Sequence, residues 1–425
     1  MKASIVEQDG NTVTLQLQVQ LSKSMLETEE NIQEALNEAG CLASQLALAQ
    51  FDTDGSPLTH SGMKWFSKGM TEKHYETPYG EVVLARHVYQ TAQGGKSYCP
   101  LDERARIVVS TTPRFARMVS HKFATMASPQ VAADLSENHH RKVARSYLQR
   151  LSEAVASLAQ AKEELWSYRT PKLAEAVHSV ALGVDGSCML LCEDGYRQAM
   201  VGSISLYDRA GQRQHTIYVG ATPEYGKAKF IARMTQEINH VKQLYPAATY
   251  LGVADGAKDN WPFLEAHTNA QILDFYHASS YLAKAASAAY PRSKVKRQAW
   301  LEASCHQLKH QAGAAAAILA DMRKLQDKKL SASIRQGLEA AITYFTNNLP
   351  RMNYSQHLAQ AHPIASGVTE AACKTLLKQR LCAAGMRWKE RGASMVLSLR
   401  ALVLTSGRWQ QFWSKINQFG VPALT

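Results

Sequence analysis

Alternating and helix-spaced apolar residues predict several strands and helices along the chain. Residues 11–22 alternate polar and apolar side chains, which predicts a half-buried strand, and residues 24–50 carry apolar side chains at helical spacing. Further strands are predicted at 178–185, 197–207, 213–219, 248–254 and 270–274, with helices at 224–244 and 258–266. Three strands followed by alternating helices and strands predict a mixed α/β sheet.

The same patterns divide the 425 residues into five predicted regions. These are an N-terminal α+β region at 1–100, a helical, helix-turn-helix-like DNA-binding region at 101–172, the first part of an α/β core at 173–276, an all-α insertion at 277–362, and a helix with a basic C-terminal region at 363–425. The insertion is assigned because 277–360 shows no strand pattern and contains an alanine-rich run at 314–318.

The second region contains a candidate DNA-binding motif. Ser128 is predicted to begin a short helix that ends at Leu135, with proline at its first position. A turn at 136–138 and a basic helix at 139–150 follow, and this order is typical of a helix-turn-helix whose second helix enters a major groove. An ordinary αα-hairpin explains the same pattern. The candidate DNA contacts on the second helix are Arg141, Lys142 and Arg145.

The charge of the chain favours a polyanionic partner. Lys and Arg number 48 and Asp and Glu 36, so the formal net charge is +12, which is typical of proteins that bind nucleic acid. The excess is concentrated after Glu370, where one acid, Glu390, accompanies nine basic residues: Lys374, Lys378, Arg380, Arg387, Lys389, Arg391, Arg400, Arg408 and Lys415.

Location is predicted from apolar runs and cysteines. No run approaches the roughly 18 apolar residues of a membrane span, and the N-terminus has no apolar signal region. Seven scattered cysteines, an odd number, favour reduced thiols. We therefore expect a cytoplasmic protein that has no membrane partner.

Three acidic residues follow or begin predicted elements. Asp185 and Asp255 each end an apolar strand-like run, and Glu370 begins a helix-like stretch. Each has a simpler explanation, because Asp-Gly pairs make turns and a first-turn Glu suits the helix dipole. If the first and fourth strands lie side by side, however, both aspartates meet at one end of the sheet. Three converging carboxylates then suit a pair of divalent cations that act in phosphodiester chemistry.

Other residues are candidates for supporting roles. Lys374 and Lys378 follow Glu370 at helical spacing and are predicted to track a phosphate backbone. Surface ion pairing with Glu370 is an alternative for Lys374, but it does not explain Lys378. Asp274 and His277 either orient the site or form an ordinary helix start with a hydrogen-bonded histidine. Arg380, Arg387 and Trp388 complete the C-terminal candidate DNA contacts, and Trp388 is of a type that stacks on bases. Trp409, Phe412 and Trp413, by contrast, are predicted to pack in a core.

These motifs together resemble a family of bacterial insertion-sequence enzymes. The strings Val184-Asp185-Gly186, Gly252-Val-Ala-Asp255-Gly256 and Asp274-x-x-His277 are similar to those of ISKra-type DDE transposases, and distantly to those of Mutator-type enzymes. The C-terminal string is also similar: Gly367-x-x-Glu370, Lys378-Gln-Arg380, Gly385-Met-Arg-Trp388, Gly392-Ala393, Leu399-Arg400-Ala401, Trp409 and Phe412-Trp413. The resemblance covers about residue 75 to the C-terminus.

The resemblance implies a fold, a site and partners. It implies an RNase H-like core with an all-α insertion, in which Asp185, Asp255 and Glu370 are catalytic and hold two Mg²⁺ ions, with Mn²⁺ as a substitute. Asp274 and His277 match the family's auxiliary element. The implied partners are double-stranded DNA, both as insertion-sequence ends and as target, and further copies of the chain in a homodimer or larger oligomer. The implied location is the bacterial cytoplasm, in association with the nucleoid when DNA is bound.

The expected function is that of a DNA transposase. It would bind the ends of its insertion sequence and catalyse metal-dependent strand cleavage and strand transfer. Two alternatives are a metal-dependent nuclease or resolvase on the same core, which does not join strands, and a domesticated DNA-binding protein without catalysis. A joining assay with pre-cut ends separates the first alternative, and residual metal-dependent nicking separates the second.

Overall fold

The chain forms two compact units. The computed structural model describes residues 2–163, 165–224 and 227–421. One unit comprises Met1–Leu165 with Arg408–Thr425, and the other comprises Trp166–Gly407. The region predicted as one piece at 363–425 is therefore divided between the two. Among the described helices, none is long and apolar enough to cross a membrane.

The first unit begins with strands and one long helix. Its elements in chain order are β1 (Ala3–Asp9), β2 (Thr12–Leu17), α1 (Met25–Ala49), β3 (Leu58–His60), β4 (Met63–Glu76), β5 (Glu81–Thr91) and β6 (Gly94–Tyr98). Helix α1 begins after Ser24, whose side chain accepts the backbone N–H of Glu27. Strands β1 and β2 form a hairpin, and β3 to β6 pair in sequence order as a second antiparallel sheet.

Four helices follow in the same unit: α2 (Pro100–Arg104), α3 (Pro113–Thr125), α4 (Ser128–His139) and α5 (Arg145–Glu163). The turn predicted at 136–138 is wrong, because α4 continues through these residues to His139 and is capped by His140, which has a left-handed φ of 52°. Nothing in 136–138 breaks a helix, and the Asn138 amide donates to Asp134 one turn earlier. The cap residue is Ala127, one position before the predicted Ser128.

The C-terminal helix (Arg408–Phe419) belongs to this first unit. Trp409, Phe412 and Trp413 are at most 7% exposed and their rings contact one another, with centroids 5.6–5.8 Å apart. The prediction that these three residues pack in a core is therefore confirmed.

The second unit is built on a five-stranded mixed sheet. Its strands are β7 (Ser179–Leu191), β8 (Gly195–Tyr207), β9 (Arg213–Ala221), β10 (Thr249–Ala254) and β11 (Ala270–Leu273), in the order β11-β10-β7-β8-β9. Strand β10 is parallel to β7 and to β11, and β7, β8 and β9 are antiparallel. The predicted mixed α/β sheet is confirmed, as is the placement of the first and fourth strands side by side.

The helices of this unit are α6 (Ala228–Leu244), α7 (Trp261–His267), α8 (Phe275–Ala289), α9 (Lys294–His310), α10 (Ala314–Lys324), α11 (Ala332–Asn348), α12 (Tyr354–Ala359), α13 (Gly367–Ala372), α14 (Gln379–Leu381) and α15 (Glu390–Leu404). A π-helical segment, Cys373–Lys378, joins α13 to α14. Helices α8 to α12 lie between the last strand and α13.

Helices cover both faces of this sheet. A Cβ on Gly202 would lie 2.3 Å from Met234 of α6, and a Cβ on Gly183 would lie 1.8 Å from Thr369 of α13. Gly202 pairs with Val184, which immediately follows Gly183 along β7, so the two glycines face opposite sides. Because helices cover both sides, residues 180–184 are all buried and apolar apart from the glycine, in place of an alternating pattern.

Candidate functional site

Strand pairing brings Asp185 and Asp255 to one edge of the second unit's sheet. The parallel register pairs Gly183 of β7 with Val253 of β10. Asp185 lies two residues further along β7, on the same side of the sheet as Gly183. Asp255 is the first residue after β10 and is also two positions beyond the Gly183–Val253 pair, so the two aspartates are level with each other. Strand β7 continues to Leu191 beside β8, so Asp185 lies within the strand, not at its end as predicted.

Helix α13 approaches that same side closely. The position of Gly183 has no space for a side chain, because the Thr369 hydroxyl occupies it. The same hydroxyl lies 2.8 Å from the Ser203 hydroxyl of β8. Since Thr369 precedes Glu370, this close contact fixes the turn of α13 that carries the Glu370 carboxylate beside the sheet edge.

The three predicted acidic residues line one cavity. It has a volume of about 290 Å³ and is lined by Val184, Asp185, Ala254, Asp255, His277, Ser366, Thr369 and Glu370. Asp185 and Asp255 are half-buried, whereas the Glu370 side chain is 51% exposed. Residues separated by up to 185 positions in the sequence thus converge on one polar cavity that is open to solvent.

A buried hydrogen-bond network supports the Glu370 side of the cavity. Asp274 is 0% exposed and is the N-cap of α8. Its Oδ1 accepts the backbone N–H of His277 at 2.7 Å and lies 3.2 Å from His277 Nδ1. Its Oδ2 accepts both the backbone N–H and the hydroxyl of Ser366. These bonds satisfy a carboxyl whose burial would otherwise be costly.

His277 and Ser366 in turn contact the Glu370 carboxylate. His277 Nδ1 lies 3.6 Å from Glu370 Oε1, and Ser366 Oγ lies 3.1 Å from the same oxygen. The single hydroxyl proton of Ser366 serves either Asp274 or Glu370, but not both at once. Asp274 and His277 therefore lie next to Glu370, and the arrangement agrees with both interpretations given above, an orienting role and an ordinary helix start with a hydrogen-bonded histidine.

The donor set suits a hard divalent cation. Within the described ranges, Asp274, His277 and Glu370 form a group whose candidate ligand atoms all lie within 4.8 Å of one another. Asp185 and Asp255 line the same cavity outside that group. Both Asp274 oxygens already accept protein N–H groups, and both Asp185 oxygens also accept protein donors, from the Gly186 backbone N–H and the Cys373 thiol. Carboxylate oxygens at an open cavity are what Mg²⁺ and Mn²⁺ bind.

Three neighbours of the acidic residues were not predicted. The Cys373 thiol donates to Asp185 Oδ2 at 3.3 Å, and burial together with this carboxylate raises the pKa of the thiol. The Tyr344 hydroxyl donates to the backbone oxygen of Asp255 at 2.7 Å. The Asn260 amide donates to the backbone oxygen of Val184 at 3.2 Å. Each lies far from its partner in sequence, so no local pattern indicates it.

The π-helical segment changes the predicted face of the Glu370 helix. Lys374 and Lys378 are both exposed, but the constant helical spacing that would align them with Glu370 is interrupted at Cys373–Lys378. A π-helical turn contains more residues than an α-helical turn, because its hydrogen bonds join residue i to residue i+5. Lys378 is therefore rotated away from the helix face that carries Glu370. Such turns frequently lie at functional sites.

The other candidate DNA contacts differ in exposure. Lys142, Arg145 and Arg387 are exposed. Arg380 is 3% exposed, its guanidinium lies 5.4 Å from the centre of the Trp388 ring, and burial lowers its pKa to about 10. The indole N–H of Trp388 donates to the backbone oxygen of Leu381 at 2.9 Å. Arg380 therefore lacks the exposed position that contact with DNA requires.

Arg141 is also placed differently from the sequence prediction. It lies in the connection between α4 and α5 and is 8% exposed. Its guanidinium pairs with Glu76, donates to the backbone oxygen of Thr77 at 3.3 Å, and lies 5.3 Å from the centre of the Phe115 ring. The side chain joins parts of the first unit and does not face solvent. Burial of this kind depends on strands distant in sequence, which a local charge pattern does not reveal.

Comparison with known proteins gives no assignment for this site. No protein-family model matches the chain, and no curated protein matches its sequence. The residues that line the cavity are therefore the basis for a proposed function.

Proposed function

We propose that the chain is a DDE-type DNA transposase, which cleaves a strand at the ends of an insertion sequence and transfers it to target DNA. The observation that carries the proposal is the convergence of Asp185, Asp255 and Glu370 on one cavity at the edge of a mixed sheet. The sheet order supports it, because three antiparallel strands followed by two parallel ones are what an RNase H-like core requires. The helical insertion before Glu370 also agrees with the resemblance of the sequence.

The proposed metal ligands are Asp185, Asp255 and Glu370, which would hold two Mg²⁺ ions or Mn²⁺ in their place. Bound in this way, divalent cations stabilise the charge that develops on a phosphodiester and lower the pKa of an attacking hydroxyl. The protein holds Asp185 and Asp255 on paired strands and Glu370 on a helix fixed by Thr369. This preorganisation keeps the carboxylates close without a loop rearrangement.

The proposed reaction is two in-line displacements at phosphorus. In the first, a bond forms between a water oxygen and the phosphorus as the bond to the 3′ oxygen breaks, which leaves a 3′-hydroxyl. In the second, that 3′-hydroxyl attacks a target phosphodiester and displaces the target's own 3′ oxygen. Ser366 and His277 lie beside the Glu370 carboxylate, and the exposed Lys374 and Lys378 are available to neighbouring phosphates.

The test compares two aspartates of the same hairpin. Asp185→Asn removes a carboxylate from the cavity, whereas Asp194→Asn changes an exposed residue at the turn between β7 and β8. With Mg²⁺ and DNA that flanks the gene, we expect Asp185→Asn to abolish strand cleavage and to retain DNA binding. Asp194→Asn should retain both activities. Equal loss of binding and cleavage in Asp185→Asn, or full cleavage by it, contradicts the proposal.

A second assay separates transposition from simple cleavage. Duplexes with pre-cut 3′ ends are incubated with a second duplex and Mg²⁺, and joined products are mapped to the nucleotide. Joining that requires Asp185 and Glu370 supports strand transfer. Cleavage without any joining favours the nuclease or resolvase alternative.

A further inference from the structure

Cationic side chains cluster where α8 ends and α9 begins, away from the candidate site. We name this surface the insertion patch and define it as Arg292, Lys294, Lys296 and Arg297. The first three are exposed and Arg297 is half-buried. Between residues 275 and 320 the sequence has six Lys and Arg residues and one acid, Glu302. The Glu302 carboxylate accepts from Gln298 at 2.7 Å.

The charges of the insertion patch have no acidic partners in the part of the chain that the structure describes. Across the described residues, no ion pair joins any of the four side chains to an acid. Arg297 Nε is buried and has no hydrogen-bond partner. Lys294 and Lys296 also lie in the first turn of α9, where the positive end of the helix dipole disfavours cations. Local arrangements that oppose folding are expected at functional surfaces.

Helix α8 connects the insertion patch to the cavity. It begins directly after Asp274, at the site, and its 15 residues end at Ala289. At 1.5 Å per residue this separates the patch from the cavity by about 22 Å. Tyr276, Ser280 and Lys284 are exposed along the helix at a spacing of four residues, so they form one stripe from the cavity towards the patch.

We propose that the insertion patch binds the sugar-phosphate backbone of the DNA duplex whose scissile phosphate lies in the cavity. Base pairs rise 3.4 Å along B-DNA, so 22 Å corresponds to about six or seven base pairs from the cleaved bond. The inference rests on the proposed function for its substrate and adds the surface that aligns it. Phosphate contacts of this kind fix the register of a protein on DNA without reading its sequence.

The test uses paired double variants of the full chain. Lys294→Gln with Lys296→Gln removes two charges from the insertion patch. Arg323→Gln with Lys324→Gln removes two charges from α10, where Lys324 pairs with Asp321 at 2.8 Å and Arg323 contacts Thr346 at 3.4 Å. Affinity for duplex DNA is measured without divalent cations over a range of salt concentrations. The patch variant should lower the slope of log affinity against log salt by about two, and the control should not.

A second measurement locates the contact. Ethylation of phosphates about six or seven base pairs from the mapped cleavage position should weaken binding by the wild type and have no effect on the patch variant. Arg292→Gln, which lies outside α9, gives the same comparison if the double variant fails to fold. Patch variants that bind DNA like the control overturn this inference and leave the proposed cleavage activity intact. If Asp185→Asn cleaves DNA like the wild type, the proposed function is contradicted. The salt dependence of binding by the patch variant tests the insertion patch separately from that result.

Discussion

Ser366 donates both its backbone N–H and its hydroxyl to one oxygen of the buried Asp274 carboxyl, with the hydroxyl at 2.9 Å. Asp274 is the residue before α8, and Ser366 is the residue before α13. The two bonds therefore join the beginnings of the helices that carry His277 and Glu370. A change at Asp274 should alter the position of Glu370 without removing any predicted metal ligand.

The first prediction concerns Asp274→Asn. An amide offers one acceptor oxygen where the carboxylate offers two, so the N–H of Ser366 or of His277 loses its partner. A buried donor left unsatisfied costs about 1–3 kcal/mol. We expect the free energy of unfolding to fall by that order and DNA cleavage to weaken strongly. Chemical denaturation and a cleavage assay measure the two effects.

Its control is a double-mutant cycle with Ser366→Ala. That variant removes the hydroxyl and keeps the backbone donor. Because the two side chains are in direct contact, the double variant should lose less stability than the sum of the single variants. Strictly additive losses would show that the two residues do not act together.

The second prediction concerns Gly183→Ala. The added Cβ would lie 1.8 Å from the Thr369 hydroxyl and 3.0 Å from the Ser203 hydroxyl, so α13 must move away from the sheet. We expect lower thermal stability and a marked loss of cleavage. Thr369→Ala in the same chain removes the clashing oxygen, and it should restore part of both.

Gly337→Ala is the matched control for that substitution. Gly337 lies within α11, and its Cβ would meet its nearest neighbour at an ordinary 3.7 Å. Alanine is favoured over glycine in a helix interior by about 1 kcal/mol, so this variant should retain activity with equal or higher stability. If Gly183→Ala and Gly337→Ala changed stability and cleavage equally, the loss at Gly183 would not come from its close contact with Thr369.

The mixed sheet and the adjacency of the strands that carry Asp185 and Asp255 were accessible from the sequence because they depend on local patterns. Apolar runs fixed the approximate limits of β7 and β10, and their order favoured adjacency of Asp185 and Asp255. The supporting contacts depend on residues brought together only by folding. Cys373 reaches Asp185 across 188 positions and Tyr344 reaches Asp255 across 89, so no spacing rule connects either pair.

Charge patterns were a weaker guide than apolar patterns. A basic sequence indicates net charge but not burial, and Arg141 and Arg380 are both buried although each was a candidate DNA contact. The predicted turn at 136–138 was wrong for a related reason. Polar residues there are also compatible with the solvent face of a continuing helix, and α4 buries Val131 and Leu135 on its other side.

The third prediction compares Arg141, a buried and ion-paired arginine, with its exposed neighbour Lys142. Arg141→Ala leaves Glu76 without its partner in a largely buried position, where such a loss costs on the order of 3 kcal/mol. We expect a clear drop in thermal stability. Lys142→Ala changes an exposed neighbour and should leave stability within about 0.5 kcal/mol. Differential scanning calorimetry of both variants makes the comparison, and equal stability would contradict a structural role for Arg141.

The last prediction concerns the pH dependence of stability at Cys373. Burial and the neighbouring Asp185 carboxylate raise the pKa of this thiol, which is 4% exposed. An unfolded cysteine ionises near pH 8.5, so above that pH the folded state retains a proton that the unfolded state has lost. The stabilising contribution is therefore complete below about pH 8.5 and decreases as the pH rises, by up to about 1.4 kcal/mol per pH unit.

Cys373→Ser should remove this dependence, because a serine hydroxyl still donates to Asp185 but does not titrate in this range. Urea denaturation at pH 7, 8.5 and 10 should give a shallower alkaline decline for the variant, with a difference of about 2 kcal/mol at pH 10. Cys188→Ser is the control, because Cys188 is exposed, and it should decline like the wild type. Parallel curves for Cys373→Ser and the wild type would show that the thiol is not held protonated beside Asp185.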